Sequence, residues 1–188
     1  MQRPPKALSV TREGQPDGFV PPAVLVPQVL DGGYTRLLVS VPAEGLVALH
    51  QELLSLLTPP WKVLYVRLTD RAVGQLEKPQ QLVGVDLGPA AVLAALEECK
   101  ELIYEDGRHQ LWVRGHRGEQ VVLEELGVIY VYPDDPASRE VCERHGLVEQ
   151  VRVTTMADRD YVQVNFLAEA DAQEDRLRFR LGLQSWAG

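Results

Sequence analysis

Two stretches of strict alternation limit what this chain can fold into. From Trp61 to Thr69, Trp61, Val63, Tyr65 and Arg67 fall on one side, and Lys62, Leu64, Val66 and Leu68 on the other. A period of two belongs to a strand with two different faces. Gln110 to Arg114 and Glu119 to Leu123 alternate likewise around Gly115-His116-Arg117-Gly118, which has the turn chemistry of a hairpin. Antiparallel hairpins in mid-chain exclude a strict βαβ succession.

The flanking segments extend this pattern. Tyr34 to Val41 reads as a strand stopped by Pro42. Ala43 to Leu57 reads as a helix with Leu46, Leu49, Leu53, Leu56 and Leu57 on its apolar side, and His50 falls within that stripe as a partly buried, hydrogen-bonded histidine. Gln81 to Leu87 is expected to be a short strand. Pro89 then opens a helix running to about Glu105, with Val92, Leu96, Cys99 and Ile103 inward. Val128 to Tyr132 is a further strand. Asp135 and Pro136 start a helix that Gly146 and Leu147 close. Val151 to Thr155 and Tyr161 to Leu167 read as strands, with Asp158 and Asp160 in the turn between them. Ala170 to Leu181 reads as a helix, acidic early and basic late. A strand competes for it, because Leu177, Phe179 and Leu181 alternate with arginines. The expectation is one α+β domain over residues 21–188, with a mostly antiparallel or mixed sheet of about seven strands and about four helices. Six of the 13 prolines lie in residues 1–27, so residues 1–20 are expected to form a flexible arm.

Charge excludes some partners. Nineteen Lys and Arg against 27 Asp and Glu leave a net charge of −8, which argues against nucleic acid and anionic membranes. Two cysteines, Cys99 and Cys142, are too few for a disulfide scaffold. Neither a leader-like segment nor an apolar run of membrane-spanning length is apparent, so a soluble, cytoplasmic protein is expected. Arginine far outnumbers lysine, and Ile and Asn are scarce, as in a GC-rich bacterial coding sequence.

Two short motifs resemble known families. Gly84-Val85-Asp86-Leu87-Gly88 resembles the first phosphate loop of the actin and sugar-kinase ATPases, which implies a nucleotide held by an Asp and a Gly. It lacks the small hydroxyl residues that follow there, and Pro89 replaces the second strand. Glu140 to Gly146 resembles the late helix of GNAT acetyltransferases, but no Gly-rich pyrophosphate loop accompanies it. Neither implies a cofactor for this chain. Cys142 and His145 share a helix turn without further ligands at metal spacing, and His109 and His116 sit at opposite ends of one strand. No metal site or catalytic set is therefore expected.

Acidic clusters remain. Glu97, Glu98, Glu101, Glu105 and Asp106 stand against Lys100 alone. Asp134, Asp135, Glu140, Glu143 and Glu149 stand against Arg139 and Arg144. If these stretches face outward together, they make a negative field suited to a basic protein partner. The expected function is a non-catalytic protein-binding module, an adaptor or an inhibitor of the immunity type. Its contacts would be Glu97, Glu98, Glu101, Glu105, Asp134, Glu140 and Glu143, joined by His116 and Arg117 at the hairpin tip and by Trp186 near the C-terminus. The alternatives are a small hydrolase or transferase using Asp86, Asp134 or His109, and a homodimeric structural module joined at a sheet edge or through Arg176 to Trp186.

Overall fold

The computed structural model describes residues 5–70, 74–163 and 168–186. In chain order the elements are β1 (Leu8–Ser9), β2 (Val24–Val29), β3 (Thr35–Ser40), α1 (Ala43–Ser55), β4 (Trp61–Asp70), β5 (Gly74–Leu87), α2 (Pro89–Glu98) and α3 (Lys100–Glu105). They continue with β6 (His109–Arg114), β7 (Gln120–Leu123), β8 (Ile129–Tyr132), α4 (Pro136–Arg144), β9 (Val148–Glu149), β10 (Tyr161–Val162), α5 (Ala168–Arg180) and β11 (Gln184–Ser185). Among the described residues, nine strands form a sheet in the order β11-β5-β4-β6-β7-β8-β3-β2-β9. Only the β2–β9 pairing is parallel, so the sheet is mixed. β1 and β10 form a small antiparallel pair beside it. This is the expected single-domain α+β fold, with two more strands in the main sheet than expected.

Alternation becomes two faces. Leu82, Tyr65, Leu111, Leu123, Ile129, Val39 and Leu25 stand opposite one another, one per strand from β5 to β2, and all are buried. They join Leu46, Leu49 and Leu53 of α1, Val92 and Leu96 of α2, Ile103 of α3, Val141 of α4 and Leu177 of α5 in one cluster. All five helices therefore cover the same face. Each such side chain contributes roughly 1.5–3 kcal/mol on burial. α1 packs against α3 and also against α4, while α5 packs against α2 and α3.

Helix ends follow local chemistry. The Asp135 side chain accepts the Ser138 backbone N–H at 3.0 Å. At the other end of α4, Gly146 takes φ +78, and Gly146 and Leu147 donate to the carbonyls of Glu143 and Cys142, closing a Schellman motif. The helix expected from Pro89 to Glu105 is bent at Cys99 into α2 and α3. α5 supplies partners at the bend: the Cys99 thiol donates to the Gln173 carbonyl, and the Gln173 side chain accepts the Leu102 N–H at 2.9 Å. Ala170, Glu174 and Leu177 of α5, and Leu181 just after it, are buried at helical spacing while Phe179 points out, 84% exposed. The helix prevails over the strand.

Three expectations need correction. The chain from Lys6 to Ser9 is not a loose arm: Lys6, Ala7 and Ser9 are buried, and Leu8–Ser9 pairs with Tyr161–Val162. The reason lies at Gly107, where an added Cβ would stand 2.5 Å from the Lys6 carbonyl; glycine there lets the two backbones touch. β5 begins seven residues before the expected Gln81, at Gly74. Glu77, Lys78 and Pro79 hide it from a pattern search, and they lie where the β4–β5 register shifts, exposed to solvent. Val151 to Thr155 is not a strand. After β9 this segment crosses the sheet's helix-free side, where Val153, like Tyr130, packs on the cluster of Val26, Leu38 and Val128. The strand expected from Tyr161 forms at Tyr161–Val162, and its continuation at 164–167 lies outside the described residues.

Replacing Gly107 by Ala forces backbone apart at Lys6 and should destabilise the protein by roughly 1–3 kcal/mol, with earlier proteolysis near the N-terminus. D135A should cost about 1 kcal/mol through the lost cap. Denaturant titration of each variant measures both; unchanged midpoints would contradict these contacts.

Candidate binding face of the sheet

The side of the sheet without helices is organised in two rows. One, apolar and aromatic, runs Val83, Leu64, Trp112, Val122, Tyr130, Leu38 and Val26 across seven strands. The next is polar: Lys62, Arg114, Gln120 and Tyr132 are register neighbours on β4, β6, β7 and β8, and Arg36 donates to the Tyr132 hydroxyl at 2.8 Å. Adjacent strands lie about 4.8 Å apart, so the cations span roughly 20 Å. The 150–155 segment covers the Val26–Leu38 end. The other end is open: Lys62, Leu64, Trp112, Arg114, Gln120 and Trp186 line a cleft of about 230 Å³.

The aromatic groups here are positioned by hydrogen bonds and cations. Trp112 donates its indole N–H to Gln110 at 3.0 Å, and Gln110 donates to Glu125 at 2.7 Å. The Lys62 ammonium stands 4.8 Å from the centre of the Trp186 ring. The Arg36 guanidinium stacks on Tyr130 at 4.2 Å and is steered by Gln28 at 2.7 Å. Such cation–ring contacts hold an exposed ring at about 0.5–1 kcal/mol each. Among the described residues, neither Lys62, Arg36 nor Arg114 has a carboxylate within ion-pair distance.

The acidic residues sit differently. Glu98 accepts from Nη2 and Nε of Arg180 at 2.9 and 3.0 Å, and Glu97 pairs with Lys100 at 3.2 Å. Glu101 accepts from Gln173 at 2.8 Å, and Glu105 also has an interaction partner. Asp134 is held by Arg139, which also reaches Glu149. Glu140 and Glu52 share Arg144, and Glu52 also meets His145 at 2.7 Å. Glu143 is exposed. α1 lies between the two acidic helical regions. His116 and Arg117 are exposed at the hairpin tip, where the His116 N–H donates to the Thr58 carbonyl. Trp186, 47% exposed, belongs to the open cleft and not to the acidic helices.

Asp86, Asp134 and His109 do not meet. Asp86 is exposed, with φ +55 at the end of β5, a conformation Asp tolerates better than most residues; the run resembling a phosphate loop is a strand end. Asp134 is engaged by Arg139. His109 is buried, stacked on Tyr65 with ring centres 4.9 Å apart. Cys142 is buried and free, and burial pushes its thiol up to about 11. Among the described residues, no group of three His, Cys, Asp or Glu could hold a metal, and no helix is long and apolar enough to cross a membrane. Compared with family models, curated proteins and solved structures, the chain matches none.

A buried polar cluster lies between the helices and the sheet, which alternation alone could not reveal. Lys6 donates to the Ile103 carbonyl at 2.9 Å, and burial lowers its ammonium to about 8 despite the charge of Asp106. Arg108 is buried in a two-pronged pair with Asp106 and reaches Asp171. His50 is fully buried rather than partly so; it meets the Tyr104 hydroxyl at 3.0 Å, and burial, aided by Lys6, lowers it to about 3. Burial, with Lys6 and Arg108, drives His109 the same way. Burial raises Glu124 to about 7, with Glu125 adding to it, and raises Glu174 against the pull of Arg67.

These shifts set opposing pH dependences. Depressed histidines stabilise the fold above their unfolded value of about 6.5, and that stability is lost as pH falls toward the folded value. Raised carboxyls stabilise below about 4.5, and lose this as pH rises toward the folded value, about 7 for Glu124. H50Q/H109Q should therefore flatten the fall of Tm on acidification below about pH 6.5. E124Q/E174Q should steepen it between about pH 6.5 and 4.5, each site contributing at most ~1.4 kcal/mol per pH unit. Melting curves across this range test it; parallel profiles for all three proteins would refute the assignment.

Proposed function

We propose that the protein is a non-catalytic binding module whose working surface is the open half of the sheet. The observation that carries this reading is the contrast in pairing. Arg139, Arg144 and Arg180 are satisfied by carboxylates of their own chain, whereas Lys62 and Arg114 stand beside two tryptophans without one among the described residues. Trp and Arg are the residue types most often found as interface anchors. The acids of α2, α3 and α4 are less open to a basic partner, because Glu97, Glu98, Asp134 and Glu140 already pair with cations of their own chain. Cys99 and Cys142, both buried free thiols, suit a reducing cytoplasm.

A second reading, self-association, draws on the β9 edge, where Val20, Val148 and Val151 are exposed. Light scattering distinguishes the two: a stable dimer lost in V148K/V151K would favour the edge.

Affinity capture with matched variants tests the main reading. A specific partner should be lost from K62E/R114E and retained by E98Q/E140Q, with Tm unchanged in both. The reverse pattern would return the function to the acidic helices.

A further inference from the structure

We infer that the open cleft takes an acidic, extended segment of a partner protein, laid across the strands, with one bulky apolar side chain as its anchor. This rests on the open half of the sheet being the binding surface. Three features select the occupant. The cleft between Trp112 and Trp186 is about 230 Å³, the scale of a single large side chain rather than of a folded element. Its floor is apolar at Leu64, and its rim is cationic on one side only, at Lys62 and Arg114. The chain's net charge is −8, so this is a locally positive strip on a negative molecule, and it aligns an acidic ligand by attraction at the strip and repulsion elsewhere.

The row order gives a direction. Carboxylates on one side of the segment would meet Lys62, Arg114 and, farther along, Arg36, while its apolar side chain drops onto the row containing Leu64 and Trp112. On the far side of that row the face turns acidic and neutral polar: Gln110 and Glu125 line the neighbouring cleft together with Glu77. A long polyanion with charge on every unit would meet those carboxylates. A peptide with acids on one side and an apolar anchor would not. This favours an acidic peptide over single-stranded nucleic acid, although the exposed tryptophan could stack a base.

The experiment uses the full chain and a fluorescein-labelled peptide of alternating Glu and Ser around a central Leu, its counterpart with Gln for every Glu, and an oligothymidylate, all by fluorescence anisotropy. The Glu peptide should bind about tenfold more tightly than the Gln peptide, and salt should erase the difference. K62E/R114E should remove the preference, and W112A should weaken both peptides by roughly thirtyfold. W186A, in the C-terminal segment, serves as the second cleft variant if W112A is destabilised. Equal binding of both peptides that still depends on Trp112 or Trp186 would overturn the acidic assignment and leave the binding face standing. Tighter binding of the oligothymidylate would overturn it in favour of nucleic acid. No binding of either peptide would also overturn it, while the capture comparison with K62E/R114E judges the face itself.

Discussion

One-sided burial governs the molecule. A row of seven apolar side chains, from Leu82 on β5 to Leu25 on β2, crosses the sheet on a single face, and all five helices gather there. A strand's side chains point alternately to the two faces, so committing Val63 and Tyr65 to the core leaves Lys62 and Leu64 on the other side. A one-residue slip of β4 would bury Lys62 and expose Tyr65. The helix-free face is thus a consequence of the packing that holds the fold.

The core is not wholly apolar. Lys6, His50, His109, Asp106 and Arg108 are all buried beneath the helices. Asp106 and Arg108 satisfy one another, and Lys6 has a carbonyl, but among the described residues both ring nitrogens of His109 and the Tyr65 hydroxyl have no hydrogen-bond partner. Buried groups left without partners cost about 1–3 kcal/mol each. The N-terminal segment closes this region, which ties the position of Lys6 to the close backbone approach at Gly107.

Much of this was legible beforehand. The alternation at 61–69 and 110–123 assigns faces correctly, and Asp135, Pro136 and Gly146 mark α4 to within a residue. The misses share one cause, since each depends on contacts distant in sequence. β5 extends through Glu77, Lys78 and Pro79 because β4 is there to pair with it. The bend at Cys99 depends on Gln173 of α5. Of the residues lining the open cleft, Trp186 stands out in the sequence by its type, whereas Lys62, Arg114 and Trp112 do not. Alternation puts them on one side of their strands, but it does not say which side is left bare.

The sequence by itself determined which segments are strands and helices, how each strand divides into two faces, and where the helices start and stop, because these are decided by neighbours a few residues away. Tertiary structure decided which face is covered and which charges are cancelled. Arg180 meets Glu98 across 82 residues, and Arg144 meets Glu52 across 92. Local periodicity carries no information about such pairs, and only after they form does it become plain which cations, among the described residues, lack a carboxylate.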